Sequence, residues 1–288
     1  MHEHALMVCF LAAFAASSLV RGILLWLNIR HLRLHGGEIP RVFQGEIDPD
    51  TLAKISRYTL DSSRFGALES LFGGALLLAV LLSGLLPWLL SRLPPWEEHF
   101  LLTGLSFFGL LAAAEAVIGL PFDFYRTFVI EERHGFRTIT LRLWLADLLK
   151  GFAVSAVLLG LLLSAFLALL ACASRSWWFW TWLVFTSFQL LMIWLYPVVI
   201  APLFNRYAPL PDGDLKEALI ALMAKAGLRT EGVYQVDAGK RSRHTNAYFT
   251  GIGKTKRIVL FDTLVASHRT DEIVAVLAHE IGHWKRRH

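Results

Sequence analysis

Five long apolar segments constrain the fold of this chain more than any other feature of its sequence. They run from about 5 to 29, 66 to 90, 100 to 120, 145 to 173 and 177 to 200. Each is close to the ~20 residues that an α-helix needs to cross the hydrocarbon core of a bilayer. The composition agrees, because 55% of the residues are hydrophobic and only 18% are charged. We therefore expect residues 1–200 to form a mainly α, multi-spanning membrane helix bundle with five transmembrane helices.

The first apolar segment has a second interpretation, a secretory signal peptide. Its leading residues Met1 to His4 lack the positive charges of such a signal, and the apolar run is longer than a signal contains. We therefore interpret this segment as a retained membrane anchor. The two cysteines, Cys9 and Cys172, both lie in apolar runs and indicate no disulfide framework.

Basic residues alternate between the loops that connect these segments. The first loop contains Arg30, Arg33, Arg41, Lys54, Arg57 and Arg64, and the third contains Arg126, Arg133, Arg137 and Arg142. The second and fourth loops offer only Arg92 and Arg175. The positive-inside rule then places the first and third loops, and everything after the fifth helix, in the cytoplasm. We predict a multi-pass protein of a bacterial inner membrane or an endoplasmic reticulum membrane, with membrane lipid as a partner and no nucleic acid.

Several ionisable residues lie inside or at the edges of the apolar segments: Arg21, Glu69, Glu115, Asp147 and Lys150. Such residues either face a hydrated interior or pair with one another. For Asp147 and Lys150 the end of a helix, within the membrane interface, is a third explanation. A transporter also remains possible on this pattern, although the broken midplane helices of that class are not evident.

The composition changes after Ile200, where prolines and glycines interrupt the chain. Apolar residues at helical spacing predict a helix from 215 to 226, and strand candidates follow at 233–236, 246–250 and 257–262, the last two joined by a hairpin-like turn. We expect residues 201–288 to form the start of a small cytoplasmic α+β domain. Its basic loop, Lys240 to His244, is interpreted as a solvated segment, with contact to an acidic substrate or to lipid headgroups as the alternative.

A metal-binding pattern follows in this second region: His279-Glu280-Ile281-Gly282-His283. On a helix the two histidines lie on one face and can bind one metal ion. Zn²⁺ suits two imidazoles plus a carboxylate, with one position left for water, and Glu280 can act as general base on that water. The reaction class that this pattern predicts is hydrolysis of a peptide bond. The alternative is a pair of histidines that merely face solvent.

The residues around the pentad predict a well-formed amphipathic helix. Thr270 can cap its start, and Asp271 and Glu272 follow in the first turn, where the helix dipole favours negative charge. Four apolar residues recur at helical spacing: Ile273, Leu277, Ile281 and Trp284. This setting favours the metal site over the solvent-facing alternative.

A series of short motifs along the chain shares one pattern: Tyr58–Asp61, Ser63–Phe65, Leu120–Phe122, Thr127–Phe136, Pro202–Asn205, Pro209–Pro211, Asn246–Gly251, Lys254–Leu264 and His279–Trp284. These motifs resemble those of one family, the M48 membrane metalloproteases of the Ste24, or CAAX prenyl protease 1, type. They cover most of the chain in the family's order. The resemblance implies an integral membrane zinc endopeptidase whose helices enclose a hydrated chamber capped by a zincin-like domain.

The resemblance also implies roles for particular residues. His279 and His283 correspond to ligands of one Zn²⁺ per chain, and Glu280 to the catalytic base. Asn246 and Tyr248, in the Asn-Ala-Tyr strand, correspond to residues beside the substrate backbone; for Asn246 a turn or strand-start role is the alternative. The implied substrate is a peptide or prenylated protein, from which residues after a prenylated cysteine are removed when a metal-activated water attacks the peptide bond.

The pattern departs from the family at the third zinc ligand, a Glu that the family carries well downstream of the pentad. His288 is a poor substitute, since it lies roughly 140° around the helix from His283. We therefore expect a C-terminally truncated member of the family. One alternative is a catalytically inactive scaffold or chaperone-like protein. Another is an intramembrane metalloprotease, which the charges flanking the pentad disfavour.

Overall fold

The computed structural model describes residues 2–45, 47–172, 175–250 and 255–286. The chain divides into two compact units, one with the residues up to Arg92 and Ala113–His134, the other with Leu93–Ala112 and the residues from Gly135 onwards. Five helices in the described ranges are long and apolar enough to cross a membrane: Ala5–His35, Pro49–Leu82, Phe100–Arg133, Leu141–Cys172 and Trp177–Phe204. This confirms the predicted class, a mainly α, multi-spanning membrane bundle. The proposed domain boundary at residue 200 stays a prediction.

The first unit begins with helix α1 (His2–His35), which packs against α2 (Pro49–Leu82). The Asp48 carboxylate caps α2 by accepting a hydrogen bond from the backbone N–H of Thr51 over 3.1 Å. The sequence predicted that the second span begins at about residue 66, but α2 already begins at Pro49. It is continuous across this point, because Gly66 costs only about 1 kcal/mol inside a helix. It ends near Gly84, whose φ of 78° is left-handed, and α3 (Leu85–Ser91) follows.

The third span contains a proline that does not end it. Helix α4 (Phe100–Tyr125) includes Pro121 and continues through a π-helical turn, Arg126–Ile130, into α5 (Glu131–Arg133). The predicted end of this helix at about residue 120, just before Pro121, is therefore wrong. In an apolar surrounding each unpaired backbone group costs several kcal/mol, so the chain keeps its remaining helical hydrogen bonds and absorbs the proline with a wider turn.

In the second unit α6 (Leu141–Cys172) packs against α7 (Trp177–Leu195). A second π-helical turn, Tyr196–Ile200, again contains a proline and leads into α8 (Ala201–Phe204). Leu167 of α6 is almost fully buried against Gly104, where an added Cβ would lie 2.6 Å from a Leu167 methyl group. Glycine therefore permits the close approach of these two helices.

The remainder of the second unit is the predicted α+β domain. It contains β1 (Tyr207–Pro209), α9 (Asp214–Lys225), β2 (Arg229–Val236), β3 (Ala247–Thr250), β4 (Thr255–Phe261), α10 (Asp262–Ser267) and α11 (Thr270–Arg286). The strand order is β1-β2-β4-β3; β2 and β4 are parallel, and the other two pairings are antiparallel. The predicted turn between β3 and β4 lies mostly outside the described residues.

A single apolar core holds α9 and α11 on the sheet. Its most buried residues are Leu219, Met223, Val233, Ile258, Leu260, Ile273 and Leu277. Ile281 also belongs to this core, so three of the four residues of the predicted α11 stripe are buried as expected; the side chain of Trp284 lies outside the description. Strand β1 has no counterpart in the sequence prediction, because three residues that end in a proline carry no alternating pattern.

Candidate metal and substrate site

Helix α11 carries the predicted metal ligands, and its first turn is fixed by side chains. Glu272 accepts a hydrogen bond from the backbone N–H of Arg269 over 2.8 Å, as the third residue of a capping box does. Arg269 also pairs with Asp271. Thr270, the predicted cap, is instead the first residue of the helix. The negative charges of this turn still complement the helix dipole as the sequence indicated.

The apolar stripe of α11 decides which residues face outward. Because Leu277 and Ile281 are buried against the sheet, His279 and His283 are turned to the solvent-exposed side, while Glu280 is half-buried between the two faces. The helix thus presents both imidazoles together and keeps the carboxylate beside them.

The two imidazole rings approach each other through their Nε2 atoms. Nε2 of His283 lies 2.9 Å from Nε2 of His279, and the rings are nearly perpendicular with centroids 4.5 Å apart. Two nitrogens bound to one tetrahedral Zn²⁺ lie about 3.3 Å apart, given Zn–N distances near 2.0–2.1 Å. The observed separation is about 0.4 Å shorter than this distance, so the two residues fit two positions of a zinc site.

A third protein ligand is not supplied by the described residues. Among them no group of three or more His, Cys, Asp or Glu side chains could hold a metal ion. His288 lies outside the described residues. The structure thus provides two imidazoles and the neighbouring Glu280, and the third ligand stays a prediction.

Strand β3 lies beside α11 and forms one edge of the sheet. It pairs antiparallel with β4, from Ala247 opposite Leu260 to Thr250 opposite Arg257, and has no strand on its other side in the described part of the chain. Ala247 points into the core, so the alternation of the strand places Tyr248 on the opposite face. An edge of this kind can pair with an extended peptide.

Asn246 stands at the beginning of this edge strand. Its side chain is exposed, and its Oδ1 accepts a hydrogen bond from the backbone N–H of Ala247 over 2.8 Å. Its carbonyl oxygen accepts from the backbone N–H of Phe261 over 3.0 Å. These contacts agree with the strand-start alternative for Asn246, and the predicted contact with a substrate stays a prediction.

Tyr248, the second predicted substrate residue, is linked to another tyrosine. Its hydroxyl lies 3.4 Å from that of Tyr207 on β1, and its ring meets the edge of Phe261. Burial, followed by the neighbouring Tyr207 hydroxyl, raises the pKa of Tyr248 well above its ordinary value. Tyr248 therefore keeps its proton at neutral and mildly alkaline pH. The sequence did not point to Tyr207, because no pattern relates it to β3.

Arg241 precedes this strand, in the basic loop that the sequence analysis interpreted as solvated. Its guanidinium group is bonded to the carboxylate of Asp147, to Oδ1 of Asn205 and to the carbonyl of Phe204. Lys240 pairs with Asp237. The solvated interpretation is therefore wrong for Arg241, because its guanidinium group is bound by residues that are distant in the sequence. Lys240 is still 32% exposed, and its partner lies three residues earlier.

The predicted third loop also contacts this basic loop. The backbone of Arg241 accepts hydrogen bonds from the N–H groups of Thr138 and Ile139, and the N–H of Arg243 donates to the carbonyl of Phe136. The Phe136 ring stacks on His244 with centroids 4.3 Å apart. The segment that begins at Gly135 is thereby fixed to the residues just before β3, so it is an ordered support and not a free linker.

The described geometry defines a class: a multi-spanning membrane protein with a paired-histidine helix packed beside the edge strand of a small sheet. Two family models match the chain, "CAAX prenyl protease N-terminal, five membrane helices" over residues 28–206 and "Peptidase family M48" over residues 209–288. The chain belongs to the CAAX prenyl protease family of M48 membrane peptidases. It is accordingly an integral, multi-pass membrane protein.

Individual relatives agree with this assignment. The chain is 36% identical to CAAX prenyl protease 1 of Saccharomyces cerevisiae over 90% of its length and 60% of the relative's. It is 37% identical to a homolog from Arabidopsis thaliana, covering 91% of the chain and 64% of the homolog. A crystal structure of S. mikatae Ste24p superposes with a TM-score of 0.86 at 32% identity, covering 96% of this chain and 66% of that one. The chain thus spans less than two thirds of the length of these relatives.

Proposed function

We propose that this protein is a zinc-dependent endopeptidase that cleaves prenylated proteins near their C-termini. The observation that carries the proposal is the convergence of the His279 and His283 Nε2 atoms, with Glu280 beside them and an open strand edge next to their helix. The names of the relatives above, CAAX prenyl proteases, give the substrate class. They also favour an enzyme over the alternative of an inactive scaffold.

The residues of the chain divide the work of such a reaction. His279 and His283 would hold the metal through Nε2. The family pattern predicts that the third ligand is a carboxylate. Zinc, when bound, supplies Lewis acidity to the attacking water and to the scissile carbonyl. Glu280 takes a proton from that water on a carboxylate oxygen and delivers it to the leaving amine nitrogen.

Strand β3 orients the peptide in this proposal. The substrate main chain adds to the free edge of β3 as a further strand, which holds the scissile bond in an extended form. Asn246 at the start of the strand offers its amide N–H₂ group to the peptide backbone. Tyr248 keeps its hydroxyl proton, because its pKa is raised, and it can therefore donate a hydrogen bond.

The orientation of the domain follows from the charges of the loops. Most of the basic loop residues lie on the side of the membrane that carries the α+β domain in the predicted topology. We therefore place the metal helix in the cytoplasm, where prenylated proteins are exposed. Cysteine labelling of a loop residue from each side of sealed vesicles checks this orientation: a cysteine at Arg175 must react only from the side opposite to one at Ser267.

The decisive experiment compares zinc content and cleavage of a prenylated peptide for the wild-type protein and for Glu280→Gln. The variant is expected to bind zinc with unchanged stoichiometry and to lose cleavage by at least ~100-fold, the contribution typical of general acid–base catalysis. His279→Ala is expected to lose both zinc and cleavage. His268→Ala, an exposed histidine just before α11, serves as the matched control and should retain both. Cleavage by Glu280→Gln at the wild-type rate would remove Glu280 from the mechanism.

A further inference from the structure

A cavity of about 240 Å³ lies in the first unit, between α2 and the end of the third span. Asp61, Arg64, Phe65 and Leu68 of α2 line one side of it. Tyr125 and Arg133 line the other. The cavity is therefore bordered by two guanidinium groups and one carboxylate on a wall that is otherwise apolar or aromatic. The metallopeptidase chemistry proposed above uses none of these residues.

The carboxylate that lines this cavity, that of Asp61, already has partners. The carboxylate of Asp61 lies 3.0 Å from Nε2 of His134 and 3.3 Å from Nη1 of Arg133. About two turns further along α2, Glu69 pairs with Arg126. Arg64 is exposed, and it forms no ion pair or hydrogen bond with the described residues. Of the two arginines that line the cavity, Arg64 is therefore the one with no acidic partner among the described residues.

The remaining wall of the cavity is apolar and aromatic. Phe65 and Tyr125 stack with ring centroids 4.8 Å apart and an interplanar angle of 26°. The guanidinium group of Arg126 lies over the ring of Phe65, 5.7 Å from its centroid. Leu68, one turn further along α2, continues this apolar surface and is itself exposed. A ligand that fills the site therefore needs an anionic end and a hydrocarbon end.

The position along the helices matches the membrane surface. Helix α2 has 34 residues, about 14 more than the ~20 that cross a bilayer core. All of its charged residues except Glu69 lie in the half up to Arg64, and Gly66 to Leu82 is apolar except for Glu69 and Ser70. On α4 and its continuation, the apolar part likewise ends before Asp123 and Arg133. This pattern places both guanidinium groups in the predicted headgroup region and Leu68 at the predicted depth of the acyl chains.

We propose that this cavity binds an anionic phospholipid. Arg64 and Arg133 contact the phosphodiester headgroup, and the first carbons of one acyl chain lie along Phe65 and Leu68. Basic pockets between membrane helices are a recurrent way in which proteins select anionic lipids. The apolar surface of the Phe65–Tyr125 stack favours such a lipid over a small soluble anion, because the small anion has no hydrocarbon chain to pack against it.

Lipid binding to the purified, delipidated protein tests this proposal, with native mass spectrometry as the readout. Wild-type protein should bind one phosphatidylglycerol more tightly than it binds phosphatidylcholine. Arg64→Gln should weaken phosphatidylglycerol binding about five-fold and leave phosphatidylcholine binding unchanged, as expected for one basic residue at an anionic surface. Arg64→Lys should restore most of the preference. Equal affinity of the wild type for the two lipids would overturn the proposal.

Two controls separate a specific site from general surface charge. Arg92→Gln removes an arginine of the same unit that lies over Trp88, at the other end of the α2–α3 segment, and should leave lipid preference unchanged. Leu68→Trp fills the cavity from its apolar side while retaining both guanidinium groups, and should abolish the preference. If Arg92→Gln weakens binding as much as Arg64→Gln does, or if glycerol phosphate competes as strongly as the lipid, the site is not a phospholipid site.

Discussion

The guanidinium group of Arg241 donates from Nε and Nη2 to the two carboxylate oxygens of Asp147, over 2.7 and 3.0 Å. Asp147 lies on α6 and Arg241 lies in the loop before β3, ninety-four residues later. The side chains are only 16% and 23% exposed. This bidentate pair therefore joins a membrane helix to the loop that leads into the edge strand.

Breaking this pair should destabilise the second unit. Arg241→Ala or Asp147→Asn leaves a largely buried charge without its partner. We expect either substitution to lower the free energy of unfolding by about 2 kcal/mol. This is below the range for fully buried pairs, because some solvent reaches the site. Arg241→Lys should restore little, since an ammonium group cannot reproduce the bidentate geometry. Thermal unfolding in detergent micelles measures the effect.

The matched control for this prediction is the ion pair between Arg257 and Glu231, which is nearly half exposed on both sides. Arg257→Ala should cost less than about 1 kcal/mol, as surface ion pairs do. Equal losses for Arg241→Ala and Arg257→Ala would show that the buried network adds no stability beyond that of a surface pair.

Gly135 should be sensitive to substitution for a reason of backbone geometry alone. Its φ is +77°, in the left-handed region, and an added Cβ would meet no atom within 4 Å. Gly135→Ala should therefore cost about 1–2 kcal/mol through backbone strain, and Gly135→Asn less, because asparagine tolerates this conformation better. Urea or thermal unfolding of the two variants checks the order.

A second glycine isolates the conformational cause. Gly151, inside α6, also has open space around its Cβ position but no left-handed φ. Gly151→Ala should leave stability unchanged or raise it by up to ~1 kcal/mol, because alanine is the better helix former. If both alanine variants are equally stable, strain at Gly135 does not contribute.

Asp237 should make the stability of the α+β domain depend on acid pH. Burial opposes its charged form, but hydrogen bonds from Lys240 and from the backbone N–H of Arg206, each 2.7 Å long, outweigh burial and lower the pKa of Asp237 below its usual value. A lowered folded-state pKa stabilises the protein above the unfolded pKa of about 3.9, and this contribution is lost as the pH falls through the folded-state value. Asp237→Asn should therefore lower the free energy of unfolding by about 1 kcal/mol at pH 7 and change it little at acid pH.

The comparison that isolates this pair is a double-mutant cycle with Lys240→Met, measured by unfolding at pH 7 and at acid pH. The coupling between the two substitutions should be present at pH 7 and should fade once Asp237 is protonated. A coupling that is the same at both pH values would mean that the charge of Asp237 is not its source.

The sequence by itself determined the class of the protein and the elements of the site. Long apolar runs predicted five membrane helices because every backbone group in lipid must be paired within its own segment. The spacing of Ile273, Leu277 and Ile281 fixed which face of α11 is buried, and with it the exposure of His279 and His283. These properties depend on the local spacing of residues, so the sequence alone predicts them.

Only the tertiary structure decided which distant residues meet. The partners of Arg241, the 3.4 Å approach of Tyr207 to Tyr248, and the cavity beside Arg64 each join residues that are far apart or unremarkable in sequence. The continuation of α4 through Pro121 was likewise misjudged, because a proline ends helices in water more readily than in a membrane span. Contacts of this kind arise from packing and from the surrounding medium, which a linear pattern does not contain.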